Sequence, residues 1–325
     1  MFSDGTFNIT YAGGYFDGSN DDGVYGNYWN NKLIETLVRP CPASFKLMPF
    51  ENYDLHNQKE RRQLAQERAN GCGRNQSYNQ SCGFSRSDDP EILTKKILID
   101  GKPKLIRMRI LTSSLFDSDT KNRQTARTLV SRTVCADKSL ADKMKCLTMN
   151  TPPAISYEEL QKFCRRGDEH LYQPCRSGYV RDAWRRSIAN GDEMVIYDGH
   201  ARNGGGPSFY PPRKLANGHV DYAWYRMNRP GHKDEIAAFE QAEKKGKSPS
   251  VYMSLSCNSE RHFLREGKFP EVSKNTSYVL SKRITWGDEG LAAFLSTLES
   301  VATRRCDQLD KSVSGASCAF GVFNL

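Results

Sequence analysis

The sequence predicts an α/β protein: a mostly parallel sheet with helices on both faces, interrupted by cysteine-rich loop insertions. Three observations predict it. Short β-branched or aromatic runs alternate with amphipathic runs rather than following one another in hairpins, as parallel strands joined by helical crossovers do. With 325 residues and 38% hydrophobic content, the chain can build a core that needs no staples. Several runs end in small or glycine residues, where such sheets place their active sites.

The elements are expected in this order. Phe7 to Tyr15 is β-branched and aromatic and runs into glycines, as a buried strand entering a loop does. Trp29 to Val38 carries Leu33, Ile34, Leu37 and Val38 at helical spacing. Ser44 to Phe50 is a short strand candidate, and Gln58 to Ala69 a polar, solvent-facing helix. Asn70 to Pro90, rich in Gly, Asn, Ser and Asp, is an exposed excursion. Lys104 to Ser113 alternates and then turns apolar, a strand, with a helix after it from Asn122 to Arg132. A further helix is expected from Ser156 to Cys164. Tyr179 to Ala189 is amphipathic and stops at Asn190-Gly191, a helix ending. Glu193 to Tyr197, Ser250 to Ser254 and Tyr278 to Lys282 read as strands; Glu235 to Glu243 and Asp288 to Thr303 read as helices. The whole is one domain over residues 1–325, with insertions at about 50–103 and 134–177.

Composition narrows the function. No stretch approaches eighteen consecutive apolar residues, which excludes a membrane-spanning helix. Fifteen Tyr, fifteen Phe and four Trp exclude a disordered chain. The ten cysteines are many for a reducing compartment. Neighbours Cys72–Cys82, Cys135–Cys146, Cys164–Cys175 and Cys306–Cys318 lie 10 to 12 residues apart, mostly across polar loop sequence. Bridging loops of that size removes roughly 3 kcal/mol of unfolded-state entropy. Four local disulfides are therefore expected, with Cys41 and Cys257 left over. Scattered thiols in a cytosolic enzyme are the alternative. Met1 to Gly5 holds no basic region leading into an apolar core, so either the protein is cytosolic or a leader was removed; the cysteines favour the second, and a secreted or periplasmic location is expected. No Cys-x-x-Cys or His-x-x-x-His pair occurs, so zinc is not expected, and neither metal nor cofactor is implied.

Two strand ends carry the chemistry. One is Val195-Ile196-Tyr197-Asp198-Gly199-His200-Ala201, followed by Arg202, Asn203 and three glycines. The other is Val251-Tyr252-Met253-Ser254-Leu255-Ser256-Cys257, followed by Asn258, Ser259 and Glu260. Each is an apolar strand that ends on a reactive side chain. A thiol beside an imidazole is the pairing that nucleophilic acyl transfer needs. Their separation of 57 positions accommodates a loop, a helix and the return strand.

In these two blocks, VIYDGHA and VYMSLSC, the sequence resembles the caspase-like cysteine peptidases, the group of caspases, gingipains, legumains and separases. Helix Tyr179 to Ala189 and the histidine strand are most similar to gingipain-type bacterial members. The early strand with Ala12-Gly13-Gly14 is similar to the start of that fold. The resemblance covers roughly residues 5–40 and 178–302. It implies Cys257 as nucleophile, His200 as general acid/base, and an oxyanion hole from the backbone N–H groups of Ala201 and Cys257. The family has glycine where Ala201 stands. It implies an endopeptidase acting on proteins or peptides. A catalytically silent relative that binds the cell envelope or a protein is the alternative.

Around the pair, Asp198 is a candidate to orient His200 or cap its loop, and Glu260 to meet a basic substrate group. Tyr210 and Trp224, within the aromatic runs 209–212 and 222–225, are candidate walls of the substrate cleft. His56, His170, His219, His232 and His262 sit in polar sequence and are expected at the surface. Asp17 to Gly23 is superficially similar to a calcium loop, but its glycine is displaced and no glutamate follows at the required distance, so a solvated turn is expected. Basic pairs are spread along the chain, and with a net charge of +9 they fit weak attraction to an anionic envelope, not specific nucleic-acid binding.

Overall fold

In the computed structural model, residues 5–15, 22–47, 58–73, 76–99, 101–113, 161–162, 164–170, 173–210, 212–265, 273, 275–285 and 287–324 are described. Eight strands form one sheet. They are β1 (Thr6–Gly13), β4 (Ser85–Arg86), β5 (Ile92–Ile99), β6 (Lys102–Thr112), β7 (Met194–Asp198), β8 (Val251–Ser254), β9 (Ser277–Ser281) and β10 (Phe320–Asn324). Their order across the sheet is β10-β9-β8-β7-β1-β6-β5-β4. The five central strands β6, β1, β7, β8 and β9 are parallel, and the edges are antiparallel. A small separate ribbon pairs β2 (Ala43–Phe45) with β3 (Gln76–Tyr78).

The alternation of side chains explains the layers. On one face Phe7, Ile9, Met194, Ile196, Val251, Met253 and Val279 pack against helices α1 (Asp22–Val38), α6 (Gly287–Ala302) and α7 (Leu309–Ala316). On the other, Val195, Tyr197, Tyr252, Tyr278 and Leu280 meet α3 (Gln173–Asn190) and α5 (Pro230–Lys244). Both faces are buried, so the central strands read as continuous apolar runs. The α/β class with helices on both faces is thus as expected. Helix α2 (Gln58–Ala69) matches its expected bounds, and α3 ends at Gly191, whose φ of 69° supplies the left-handed cap. Among the described residues no helix is long and apolar enough to cross a membrane.

Several elements differ from expectation. Part of the segment expected as an insertion is sheet: β4 and β5 extend the sheet beyond β6. In β5, Ile92, Leu93, Ile97 and Ile99 are buried while Lys96 and Leu98 face out. The short α4 (Tyr222–Asn228), α7 and β10 were not expected. The helices expected at 122–132 and over most of 156–164, most of the insertion at 134–177, residues 17–21 of the expected turn, His56 and the Cys135–Cys146 pair lie outside the described residues.

Disulfides are present, but two of the expected partners are exchanged. Cys164–Cys175 forms as the spacing suggests. Cys82 pairs with Cys41 instead of Cys72, and Cys72 pairs with Cys318 instead of leaving it to Cys306. Cys306 is a free, exposed thiol. The cause is tertiary. Pairing of β2 with β3, and hydrogen bonds from Gly83 and Phe84 to the carbonyls of Arg39 and Leu37, bring Cys41 beside Cys82. The turn after α2 meets the end of α7, Gly73 N–H donating to the Gly315 carbonyl at 3.3 Å, and this juxtaposes Cys72 and Cys318 across 246 residues. Bridge formation follows Cα separation, here 5.4 and 5.7 Å, not distance along the chain.

Mass-spectrometric mapping of unreduced peptides is expected to recover Cys41 joined to Cys82 and Cys72 joined to Cys318. A Cys72–Cys82 peptide would refute this pairing. Replacing Cys72 and Cys318 together by Ser should lower stability to urea by roughly 2–5 kcal/mol.

Candidate active site

One rung of the sheet sets the site's geometry. Leu111, Ala12, Tyr197, Ser254 and Leu280 pair in line across the five parallel strands. Three residues beyond Tyr197 comes His200, and three beyond Ser254 comes Cys257. Adjacent strands lie about 5 Å apart, so the backbones that carry the imidazole and the thiol leave neighbouring strand ends at the same height. From β1 the chain winds to β6 on one side of the sheet, and from β7 it winds to β8 on the other. The β1/β7 boundary is therefore the switch point where open α/β sheets form their crevice.

The ends of β1 and β7 close around the hydroxyl of Tyr197. It donates to the His200 carbonyl at 2.8 Å and accepts from the Ser208 N–H at 2.7 Å. Gly14 N–H donates to the Asp198 carbonyl at 2.7 Å. A Cβ on Gly14 would meet the Tyr197 hydroxyl at 2.6 Å, and one on Gly199 would meet it at 2.7 Å, so both positions require glycine. Trp184 and Phe209 pack on the Tyr197 ring with centroids at 6.4 and 5.4 Å.

Ala201 is buried and is not a left-handed residue; Arg202 (φ 45°), Asn203 (φ 54°) and Gly204 (φ 92°) take that conformation instead. The turn that glycine would have eased lies one residue further on. The Ala201 carbonyl accepts from the N–H groups of Gly204 and Gly205 at 3.1 and 2.9 Å. Among the described residues, neither the Ala201 N–H nor the Cys257 N–H donates to another residue.

The Cys257 loop is bolted to β9 by buried serines. Ser259 Oγ donates to the Ser254 carbonyl at 2.9 Å, and Ser259 N–H donates to Ser281 Oγ at 2.9 Å. Ser281 Oγ in turn donates to the Ser256 carbonyl. Asn258 adopts φ 53° and donates its N–H to the Arg283 carbonyl at 2.9 Å. Cys257 is free and half-buried, its Sγ 3.8 Å from the Thr285 carbonyl. Burial pushes the thiol up from its ordinary value, and the nearby Glu289 carboxylate acts in the same direction. Arg283 anchors this loop from behind. Its guanidinium bridges Glu67 on α2 and Glu289 on α6 at 2.5 and 2.6 Å. Neither Arg283 nor Thr285 was picked out by sequence; nothing local marks a residue that holds a loop by its backbone.

Asp198 faces the other side of β7. Its Oδ2 accepts from the Tyr11 hydroxyl at 2.6 Å, and burial lifts its carboxyl to about 6 despite that bond. Glu260 is half-buried in the turn beyond Cys257. The structure brings Tyr210 and Trp224 to one cavity. Both line this space of about 660 Å³ behind the histidine loop, with Phe209, Tyr225 and, unforeseen from sequence, Arg181, Arg213, Lys233 and Asp234. The Tyr210 hydroxyl accepts from Arg181 at 3.3 Å.

Two histidines expected at the surface are buried. His262 follows Cys257 by five residues inside a helical turn. His232 contacts Glu235 at 3.0 Å and stacks edge-on against Phe263 at 4.7 Å. Their i, i+3 spacing turns His232 and Glu235 inward together, and the Tyr252 hydroxyl donates to the same carboxylate. Burial raises the Glu235 carboxyl well above its ordinary value. His170 and His219 are exposed as expected. Comparison with protein-family models, with curated proteins and with solved structures gives no match.

The Asp198 shift has a definite sign. A carboxyl raised on folding binds protons more tightly folded than unfolded, so it lowers stability as pH rises from about 4 to about 6, and the loss persists above. Asp198→Asn removes that charge and can still accept from Tyr11. It should stabilise the protein at pH 8 by on the order of 1–3 kcal/mol and by clearly less at pH 5, read as urea midpoints. An equal effect at both pH values would refute the assignment.

Proposed function

We propose that this protein is a caspase-like cysteine hydrolase that cleaves peptide bonds, with Cys257 as nucleophile and His200 as general acid/base. The observation that carries the reading is the matched offset of the two residues beyond one rung of neighbouring parallel strands, beside the switch point. In the reaction, the thiol passes its proton to the imidazole as Sγ bonds to the scissile carbonyl carbon. The oxyanion accepts from the N–H groups of Ala201 and Cys257, both free of other acceptors among the described residues. Collapse breaks the carbon–nitrogen bond, and the leaving amine takes the proton from the imidazolium. Water, deprotonated by the same imidazole, hydrolyses the thioester and restores the thiol. The disulfides fit a secreted or periplasmic setting, and the substrates are proteins or peptides.

One observation favours a second reading, a silent fold that serves as a binding module. Burial holds the thiol above its ordinary value, the reverse of the depressed values of strongly activated cysteines.

The two readings part on a single variant. Cys257→Ala should melt within a few degrees of the parent yet lose cleavage of a random peptide library by roughly a thousandfold or more. Undiminished cleavage by that variant would end the mechanism, and absence of cleavage by the parent would favour the silent fold. Alkylation by iodoacetamide should also be slow at Cys257 at neutral pH and accelerate as the solution becomes alkaline, because only the thiolate reacts.

A further inference from the structure

The cavity behind the histidine loop has a composition that the hydrolytic step does not use. Its body is apolar, built from Pro207, Phe209, Pro212, Trp224, Tyr225 and Pro230. Its rim carries three cations, Arg181, Arg213 and Lys233, against one carboxylate, Asp234. That carboxylate is committed to Arg181 through bonds of 2.6 and 2.7 Å. Arg213 lies over the Trp224 ring at 5.2 Å and 3.4 Å from Asp221, with 57% of its side chain in solvent. Lys233 is exposed and has no ion-pair partner among the described residues. The mouth therefore offers two reachable cations above an aromatic floor. A purely apolar ligand would leave the cations unmatched, and a small polyanion would leave the body unfilled. At about 660 Å³ the cavity has the capacity of a specific ligand site.

We propose that this cavity binds an acidic peptide segment, with one bulky aromatic side chain filling the body and flanking carboxylates meeting Arg213 and Lys233. The aromatic side chain supplies affinity by burial; the carboxylates supply selectivity and speed encounter. As a substrate subsite remote from the scissile bond, it rests on the hydrolase reading above. The coupling between the two places is short. Ser208, on the cavity wall, donates to the Tyr197 hydroxyl that itself holds the His200 carbonyl. A ligand that presses on Ser208 thus acts on the atom that seats the histidine loop.

The test is fluorescence anisotropy on Cys257→Ala protein at low salt, using labelled Glu-Asp-Phe-Asp-Glu, its neutral counterpart Gln-Asn-Phe-Asn-Gln, and Glu-Asp-Gly-Asp-Glu. The first peptide should bind tightest. Lys233→Glu and Arg213→Glu should each weaken it by roughly fivefold while leaving the neutral peptide unchanged. Equal affinity for the first two peptides, or indifference to both charge reversals, would overturn the proposal. So would equal affinity for the peptide without phenylalanine, which would reduce the site to a general cationic surface. Because binding is read on protein without the thiol, its failure leaves the chemistry of Cys257 untouched. A failed cleavage assay likewise leaves the binding result standing.

Discussion

The parallel pairing of β1, β7 and β8 is the constraint on which the rest depends. These strands are buried on both faces, so their register is fixed by packing on two sides at once. A slip of one residue would exchange Val195 and Tyr197 with Met194 and Ile196 and misfit two helical layers together. Fixing the rung Ala12–Tyr197–Ser254 also fixes the height at which the chain leaves each strand. Two reactive residues 57 positions apart then need no contact in sequence to share a crevice. The placement of these strand ends is inherited from register, and register from apolar burial.

The loops beyond the rung are held in place by buried polar groups, not by further sheet. Tyr197 and the serines at 259 and 281 supply side-chain hydroxyls that satisfy backbone groups where the ladder stops. Leaving such groups unpaired in a dry interior costs on the order of 1–3 kcal/mol each. The left-handed residues Arg202, Asn203 and Asn258 each add conformational cost, and Asn is among the residue types that tolerate it best. Strain of this kind persists only where surrounding contacts over-determine it. Here the over-determination comes from the Trp184–Phe209–Tyr197 cluster on one loop and the Arg283–Glu67–Glu289 bridge on the other.

The legible parts of the fold were those written in local periodicity. Strands β1, β6, β7, β8 and β9 and helices α2 and α6 are close to their expected bounds, while α3 and α5 end where expected but begin at Gln173 and Pro230, before their expected starts at Tyr179 and Glu235. Strand β5 escaped notice because Lys95 and Lys96 interrupt its apolar run. Its partner β6 covers it in spite of them, and Lys95 reaches the carbonyls of Gln80 and Cys82 at 2.6 and 2.7 Å. The disulfide exchange was illegible for a stronger reason: Cys72 and Cys318 meet only after two ends of the chain have docked. Buried His232 was hidden likewise, since its polar neighbours Lys233 and Asp234 face outward while Glu235 shares its inner side. At the site, His200, Cys257, Tyr210 and Trp224 were singled out as candidates by local pattern alone. The cations of the cavity were not, since an arginine at a rim has the same sequence signature as one in water.

A half-buried thiol held above its ordinary value constrains how the proposed chemistry can run. If the thiolate were preformed beside an imidazolium, the site would have to stabilise two charges at rest, and desolvation opposes that. The Glu289 carboxylate, although bridged by Arg283, adds to the opposition. On this reading ionisation of the thiol is disfavoured until a carbonyl occupies the crevice. On that reading negative charge moves from sulfur onto the carbonyl oxygen as the bond forms, and the N–H groups of Ala201 and Cys257 are the donors proposed to receive it. A site built this way gains from substrate binding what an exposed, low-value cysteine has in advance.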